Sequence, residues 1–173
     1  MIQPRFFISM VVAGVFTLFA ESGHSQTDPG KTTIGRVDFT VYYATDGDPK
    51  IAGEKSSAVA KETETRLRGE ERLRFKNYRV LGHETQPLFR SYENWAQPLR
   101  PSDEVLMRFE ARSAPTREGS KVDLELWLSR KKILKTDVLL QGDRPLFILG
   151  PEWRAGRLII GIALAPKEKT GSK

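Results

Sequence analysis

Few residues in this chain could do acid–base or nucleophilic chemistry. The 173 residues include no cysteine, which excludes disulfides, thiolate metal sites, cysteine nucleophiles and a lipid-modified cysteine. The histidines are His24 and His83, and Pro87 stands where a zinc protease helix would carry its second histidine. The Gly-x-Ser-x-Gly motif of serine hydrolases is also absent. His83-Glu84 is the nearest approach to a catalytic pair, but we expect His83 to be a surface histidine in a strand or bend. We predict neither a metal site nor a cofactor.

Carboxylates occur at two spacings that could support chemistry. Residues 46–49, Asp-Gly-Asp-Pro, start like a calcium loop, but Lys50 and Ile51 stand where a ligand and the required glycine belong. An ordinary turn is the better interpretation of this segment. Asp123 and Glu125 alternate along a predicted strand and share one face, so they are the least implausible acid–base pair. We expect a solvated strand face there, because glycosidase carboxylates must flank a cleft.

Positive charge is concentrated in two segments of a chain with a net charge of +6. The first segment contains six basic residues, with Phe75 and Tyr78 among them: Arg66, Arg68, Arg72, Arg74, Lys76 and Arg79. Glu70 and Glu71 reduce its net charge to +4. The second, residues 130–132 with Lys135, is expected at a hairpin tip, where lysines commonly protect a sheet edge. The arginines predict either a solvated helix face or a contact with an acidic lipid, an anionic polysaccharide or an acidic partner protein. Nucleic acid is not expected as the partner of an exported protein.

Three tryptophans are further candidates for contact with a partner. Trp127 is predicted on a polar strand face between Glu125 and Ser129, whereas Trp95 falls in a loop and Trp153 in the last turn. Exposed tryptophans can stack on sugars or anchor a protein interface, although packing at the margin of a small core is commoner. Trp127 is the best contact candidate of the three.

The N-terminal segment is typical of a secretory signal peptide. Arg5 precedes fifteen uncharged residues, 6–20, whose helical length of about 22 Å is short of the bilayer core of about 30 Å. Small residues place the cleavage site after Ser22 or Ser25, and an uncleaved anchor is the alternative. No later run is long enough to span a membrane. We therefore expect export to the periplasm or the medium.

The remaining chain is predicted to form one domain. A signal peptide over residues 1–25 is followed by a flexible lead-in (26–34), a domain (35–165) and a disordered basic tail (166–173). Apolar residues alternate with polar ones over 37–43, 105–112 and 122–129, which predicts strands buried on one face. Residues 78–88 form a weaker strand candidate. Residues 158–164 are apolar on both faces and predict a central strand.

One helix is predicted over residues 57–74. Ser56 or Ser57 can cap its start, Val59, Thr63 and Leu67 form a thin apolar stripe, and Gly69 is expected to end or bend it. The order of elements, a strand, a helix and then several antiparallel strands, predicts an α+β fold. We expect a single antiparallel sheet of about five to seven strands with one main helix packed on one face.

This arrangement resembles small exported bacterial proteins of uncharacterised function. The segments that carry the resemblance are Phe-Lys-Asn-Tyr-Arg-Val-Leu at 75–81 and two parts of 149–160, Leu-Gly-Pro and Gly-Arg-Leu-Ile-Ile. The likeness extends over residues 37–164. It implies an exported α+β domain and transfers no catalytic residue to this chain.

The sequence thus favours a non-enzymatic interaction or structural module of the cell envelope. Its expected binding face comprises Arg66, Arg68, Arg72, Arg74 and Trp127, and its expected partner is an envelope protein or an anionic polysaccharide or lipid surface. One alternative is a carboxylate-dependent enzyme, or a subunit of one, that uses Asp123 and Glu125. A further alternative is a periplasmic subunit of a secretion or pilus-like assembly.

Overall fold

The computed structural model describes residues 28–96, 99, 103–142 and 144–166. The predicted signal peptide lies outside the described residues, as do residues 26–27 of the lead-in and residues 167–173 of the predicted tail. The described part of the lead-in begins with a 3-10 turn, Pro29–Lys31. Asp28 caps this turn: its carboxylate accepts the Gly30 N–H at 2.8 Å and the Tyr92 hydroxyl at 2.5 Å.

Strands dominate the described chain. They account for 56% of it, against 14% in helices, so the protein belongs to the mainly β class. In chain order the elements are β1 (Thr33–Thr45), β2 (Ser57–Ala58), α1 (Lys61–Gly69), β3 (Asn77–Phe89), β4 (Asn94–Ala96), β5 (Val105–Ala111), β6 (Ser120–Leu128), β7 (Lys131–Leu140), β8 (Leu146–Trp153) and β9 (Gly156–Leu164). Two 3-10 turns, Pro49–Ala52 and Glu71–Leu73, complete the connections.

The strands form two antiparallel sheets that pack face to face. One sheet has five strands in the order β2-β3-β1-β9-β8, and the other has four in the order β4-β5-β6-β7. A single core cluster contains buried side chains from both sheets. At its centre the rings of Phe39 on β1 and Phe109 on β5 lie 5.2 Å apart. The architecture is therefore a β-sandwich.

The alternating patterns correctly predict strands at β1, β5 and β6. In each, every second residue is apolar and points into the sandwich, as the twofold period of a pleated strand requires. The inward residues of these strands are Val37, Phe39, Val41, Val105, Met107, Phe109, Val122, Leu124 and Leu126. These strands nevertheless divide between the two sheets, because the period indicates that one face is buried but not which element covers it.

The predicted helix over residues 57–74 is shorter in the structure. Ser57 and Ala58 instead form β2, which pairs with β3. The Ser56 hydroxyl donates to the Gly53 carbonyl at 2.6 Å, so it is not free to cap a helix. Ala60 precedes α1 without a side-chain cap, and the helix ends at Gly69, as its glycine suggested.

Helix α1 covers the outer face of the five-stranded sheet. Leu67, fully buried, and Leu73 pack there against Tyr42, Tyr78 and Ile159. This sheet is thus buried on both faces, which explains the continuous apolar run of β9. As predicted, β9 is a central strand, between β1 and β8.

The predicted fold, an α+β arrangement of a single sheet with one main helix, is wrong. The second sheet, rather than the helix, covers most of the core face, and α1 has only nine residues. Two strands of that second sheet, β4 and β7, had no clear periodic signal. Among the described residues, none of the helices is long and apolar enough to cross a membrane.

A double-mutant cycle tests the contact between the sheets. We expect Phe39→Leu and Phe109→Leu each to lower the free energy of unfolding by about 1 kcal/mol, with a coupling of about 0.5–1.5 kcal/mol from the lost ring contact. Urea unfolding of the two single variants and the double variant measures it. Phe39→Leu with Leu67→Met, whose side chains lie in different core clusters, is the control and should be additive within about 0.5 kcal/mol. Additivity of the two phenylalanine substitutions would contradict the packing described above.

Candidate functional site

The structure places the predicted contact residues on opposite sides of the sandwich. Arg66 and Arg68 lie on α1, Arg72 lies in the Glu71–Leu73 turn and Arg74 follows it, all on the helix-covered side. Trp127 lies on β6 and points away from the core on the outer face of the four-stranded sheet. One ligand cannot contact the arginines and Trp127 from the same side.

Two of the arginines are bonded to the main chain around them. The Arg68 guanidinium pairs with Glu64 at 2.7 Å, donates to the carbonyls of Phe75 and Lys76 at 3.0 and 2.6 Å, and lies 5.4 Å from the Tyr78 ring centre. Arg74 Nε donates to the Arg68 carbonyl at 3.0 Å. These bonds join the end of α1 to the start of β3. They support a structural role for both side chains.

Arg66 and Arg72 are placed differently. Arg66 forms an ion pair with Glu62 at 3.3 Å on the surface of α1, where such a pair contributes little to stability. Arg72 lines a cleft of about 750 Å³ together with Glu70 and Glu71. Carboxylates therefore accompany the arginines, and this side carries both signs of charge.

The outer face of the four-stranded sheet carries a regular pattern of charge. Residues directly opposite one another on β5, β6 and β7 form rows across the sheet. The rows are Glu110–Asp123–Asp137, Arg108–Glu125–Lys135 and Leu106–Trp127–Lys132. A row of three carboxylates is thus followed by a row in which a carboxylate lies between two cations. We call this surface, together with Glu93, Trp95 and Arg112, the ion-pair face.

Glu125 lies at the centre of the ion-pair face. One of its oxygens, Oε1, lies 2.9 Å from Lys132 Nζ, 3.4 Å from Lys135 Nζ and 3.7 Å from Arg108 Nη1. The other oxygen accepts the Trp127 indole N–H at 3.1 Å. The hydrogen bond from Lys132 is the main reason that the pKa of Glu125 is lowered, and the Trp127 bond acts in the same direction.

Asp123 is still more deeply buried. It is 1% exposed and Glu125 is 5% exposed, so the expectation of a solvated face is wrong for both residues. Asp123 pairs through Oδ2 with Arg112, and Lys135 Nζ lies 3.4 Å from the same oxygen. Its Oδ1 atom has no hydrogen-bond partner among the described residues. The long cationic side chains of the neighbouring strands extend over the two carboxylates and exclude water from them.

This geometry favours an ion-pair role for Asp123 and Glu125 over an acid–base role. A general acid must hold its proton near neutral pH, usually because its environment raises its pKa. The pKa of Glu125 is lowered instead, and the Lys135 ammonium lies 3.4 Å from a carboxylate oxygen of each residue. Within the ranges that the structure describes, no group of three or more acidic or histidine side chains could hold a metal ion.

His83 lies on the surface, as predicted. Its Nδ1 atom is 3.1 Å from the Thr40 hydroxyl, and its Nε2 atom is 3.9 Å from the Asp38 carboxylate. The ring is about half exposed, and the contacts come from neighbouring positions on β1 and β3. This arrangement is a cross-strand surface pair of Thr40 and His83.

Trp95 and Trp127 form an aromatic pair at one end of the ion-pair face. Their ring centres are 6.0 Å apart with planes tilted by 50°, and both side chains are half-buried. Lys132 Nζ lies 5.2 Å from the Trp127 ring centre. On the other side, Arg108 Nε donates to Glu93 at 2.5 Å, and the Trp95 indole N–H donates to the same carboxylate at 3.4 Å. The pair is thus enclosed by charged groups that already have partners.

The sequence analysis did not predict that Trp95, Arg108 and Lys132 would lie in the same site as Trp127. Trp95 lies in β4, whose three residues are too few to show a periodic pattern. Trp153, by contrast, packs edge-on against Tyr43 with ring centres 5.5 Å apart, at the margin of the core, as expected. Two signals in the sequence indicated this site: a tryptophan on the polar face of a predicted strand, and the carboxylates Asp123 and Glu125 on the same face.

We expect Glu125→Gln to lower the free energy of unfolding by roughly 1–3 kcal/mol at pH 7, because it leaves three cations without their shared carboxylate. The folded-state pKa of Glu125 lies below its ordinary value of about 4.3. The stabilisation is therefore complete above that value and disappears as pH falls through the folded-state pKa. Urea unfolding at pH 7, 5 and 3 should show the curves of the wild type and the variant converging in acid.

A matched control for this variant is Glu62→Gln, which removes a carboxylate that is 81% exposed. It should change the free energy of unfolding by less than about 0.5 kcal/mol at each pH. A Glu125→Gln effect that stays constant between pH 7 and pH 3 would contradict the ionised pair.

Comparison with known proteins assigns neither a family nor a function to this chain. No family model matches the chain, and neither a curated protein nor a solved structure matches it significantly.

Proposed function

We propose that this protein is a non-enzymatic interaction module, exported to the cell envelope, that binds a partner protein through the ion-pair face. Export rests on the predicted signal peptide. The observation that carries the proposed binding face is the Trp95–Trp127 pair, half-exposed on the outside of the sandwich among charged groups that are already paired. A subunit of a periplasmic secretion or pilus-like assembly would be one kind of such a module.

The ion-pair face has the properties of a pre-organised interface. Trp127 donates to Glu125, and Trp95 and Arg108 both donate to Glu93. Arg108 also forms an ion pair with Glu125 at 3.7 Å, so these side chains lose little freedom when a partner binds. Tryptophan and arginine are also the residue types that most often dominate the binding energy of protein interfaces. Binding there would not leave an unpaired charge buried.

Shape and charge favour a protein partner over an anionic polymer. The 50° tilt makes the two indoles a corner, which fits a side chain or a short apolar segment better than a flat ring. Four cations on this face are matched by five carboxylates: Arg108, Arg112, Lys132 and Lys135 with Glu93, Glu110, Asp123, Glu125 and Asp137. Asp137, which is 75% exposed, would repel a polyanion.

The basic side of α1 supports a second candidate function, contact with an anionic polysaccharide or lipid surface. The observation in its favour is Arg72, an exposed side chain at the mouth of a cleft. Arg66 lies on the same side of the sandwich. Such binding would be electrostatic and would weaken steeply as salt screens the charges.

Crosslinked pull-down from envelope extract, with the tagged chain expressed and processed in its own cells, separates the two candidates. We expect Trp127→Ala and Trp95→Ala each to reduce recovery of the specific partner by about tenfold or more, since truncation of a central tryptophan typically costs about 2 kcal/mol or more. Arg72→Ala and Tyr92→Ala, which alter exposed residues outside the ion-pair face, are the matched controls and should leave recovery unchanged.

The dependence of recovery on salt concentration distinguishes binding through the basic side of α1 from binding through the ion-pair face. Recovery that is lost in Arg66→Ala and Arg72→Ala, and that falls steeply with salt, would instead assign the function to the basic side of α1. Recovery unaffected by loss of both tryptophans would overturn the proposed face. Circular dichroism of each variant establishes that it is folded.

A further inference from the structure

The two sheets end in edge strands of very different composition. On β7, the edge of the four-stranded sheet, Lys131, Lys132, Lys135 and Asp137 provide the charges that natural proteins use to prevent edge pairing. The β8 edge of the five-stranded sheet carries four consecutive apolar residues, 146–149 (Leu-Phe-Ile-Leu), each only partly buried. The stretch itself contains no charged residue.

The apolar stretch of β8 is exposed towards both faces of its sheet. Leu146 and Ile148 pack on the margin of the sandwich core, whereas Phe147 and Leu149 pack on the cluster beneath α1. Phe147 and Leu149 also line the cleft of about 750 Å³ between β8 and the Glu71–Leu73 turn. A strand added at this edge would place alternate side chains in that cleft and at the core margin.

We propose that the occupant of this edge is the β8 strand of a second copy of the chain, so that two five-stranded sheets join into one. A complementary strand must be apolar on both of its faces. Among the edge strands that the structure describes, β8 itself has this composition: β2 is Ser-Ala, β4 is Asn-Trp-Ala and β7 alternates with lysines. The edge is therefore complementary to itself, as a twofold interface requires.

The register between the two β8 strands follows from the pleat and from the prolines on either side of residues 146–149, Pro145 and Pro151. Residues directly opposite in an antiparallel pair point to the same face, so Phe147 must oppose Leu149 or itself. The register centred on Phe147 would place Leu149 opposite Pro145, which has no N–H to donate. The register centred on Ile148 pairs Phe147 with Leu149 of the second copy. It places Pro145 opposite Pro151, so that the two prolines face each other beyond the paired apolar residues.

Charge at the mouth of the cleft agrees with this pairing. The twofold axis is perpendicular to the joined sheet, so the Glu71–Leu73 turns of both copies lie on the same face, one on each side of the junction. Each turn presents both signs of charge, Glu71 and Arg72, and these side chains form no ion pair within the described residues. Each arginine can therefore meet a carboxylate of the second copy.

The same symmetry places both ion-pair faces on one side of the dimer. Because the four-stranded sheet lies beneath the five-stranded sheet in each copy, the two Trp95–Trp127 pairs face in one direction. A partner that presents its own site twice would then bind with avidity. The dimer itself does not depend on the proposed function, since it uses a different edge of the fold.

The absence of cysteine from the chain makes a direct test possible. Cα atoms of directly opposed residues lie about 4.5–5.5 Å apart, within the range that a disulfide bridges. Under mild oxidation of the purified full-length protein, Ile148→Cys should form a covalent dimer at least about tenfold faster than Ile51→Cys. Ile51 is exposed and lies near the opposite edge of the sheet, which makes it the matched control.

Sedimentation of the unsubstituted protein provides an independent measurement that does not rely on a variant being folded. We expect a concentration-dependent dimer at about micromolar concentrations that is lost in Ile148→Lys. It should be retained in Ile133→Lys, which places the same charge at an exposed position on β7, the edge of the other sheet. A monomer at every concentration, or equal crosslinking rates for the two cysteine variants, would overturn the proposal. So would an edge occupied by a different protein from envelope extract in place of the second copy.

Discussion

The packing of the four-stranded sheet against the five-stranded sheet is the constraint on which the rest of the molecule depends. Phe39 and Phe109 meet at the centre of the resulting core. Once the second sheet covers this face, helix α1 has only the opposite face of the first sheet to cover, and a short helix with one fully buried leucine suffices. Within the described ranges no element covers the outer face of the second sheet, and the network of buried carboxylates and cations lies there.

That uncovered face explains why two carboxylates are buried without an apolar cover. Asp123 and Glu125 alternate with inward-pointing leucines, so the pleat directs them outward. Arg108 on β5, Arg112 just after β5 and Lys135 on β7 have long side chains that compensate the charges and exclude water from them. Such a network contributes less to net stability than its number of contacts suggests, because each charge must first lose water. Its clearer effect is to hold the tryptophan pair at one end in a defined geometry.

The two surfaces with interaction potential differ in physical character. The ion-pair face is largely neutralised by its own ion pairs and carries its aromatic rings at one end. The β8 edge is apolar, and no described strand pairs with its outer side. Their positions are compatible with simultaneous use, because a strand joined at β8 leaves the outer face of the four-stranded sheet uncovered. The arginines of α1 and its following turn mainly connect the helix to β3, through the bonds of Arg68 and Arg74 to main-chain carbonyls.

The amino-acid sequence by itself determined the local structure of most long elements. Alternation identified β1, β5 and β6, the continuous apolar run identified β9 as central, and Gly69 marked the end of the helix. The tertiary structure alone decided how the strands divide into two sheets, because a twofold period shows that a face is buried without showing what covers it. The tertiary structure also decided which polar side chains are buried and which residues they contact. Asp123 and Glu125 are buried, and Trp95 meets Trp127, through neighbours that are distant in sequence and that only strand pairing brings into contact.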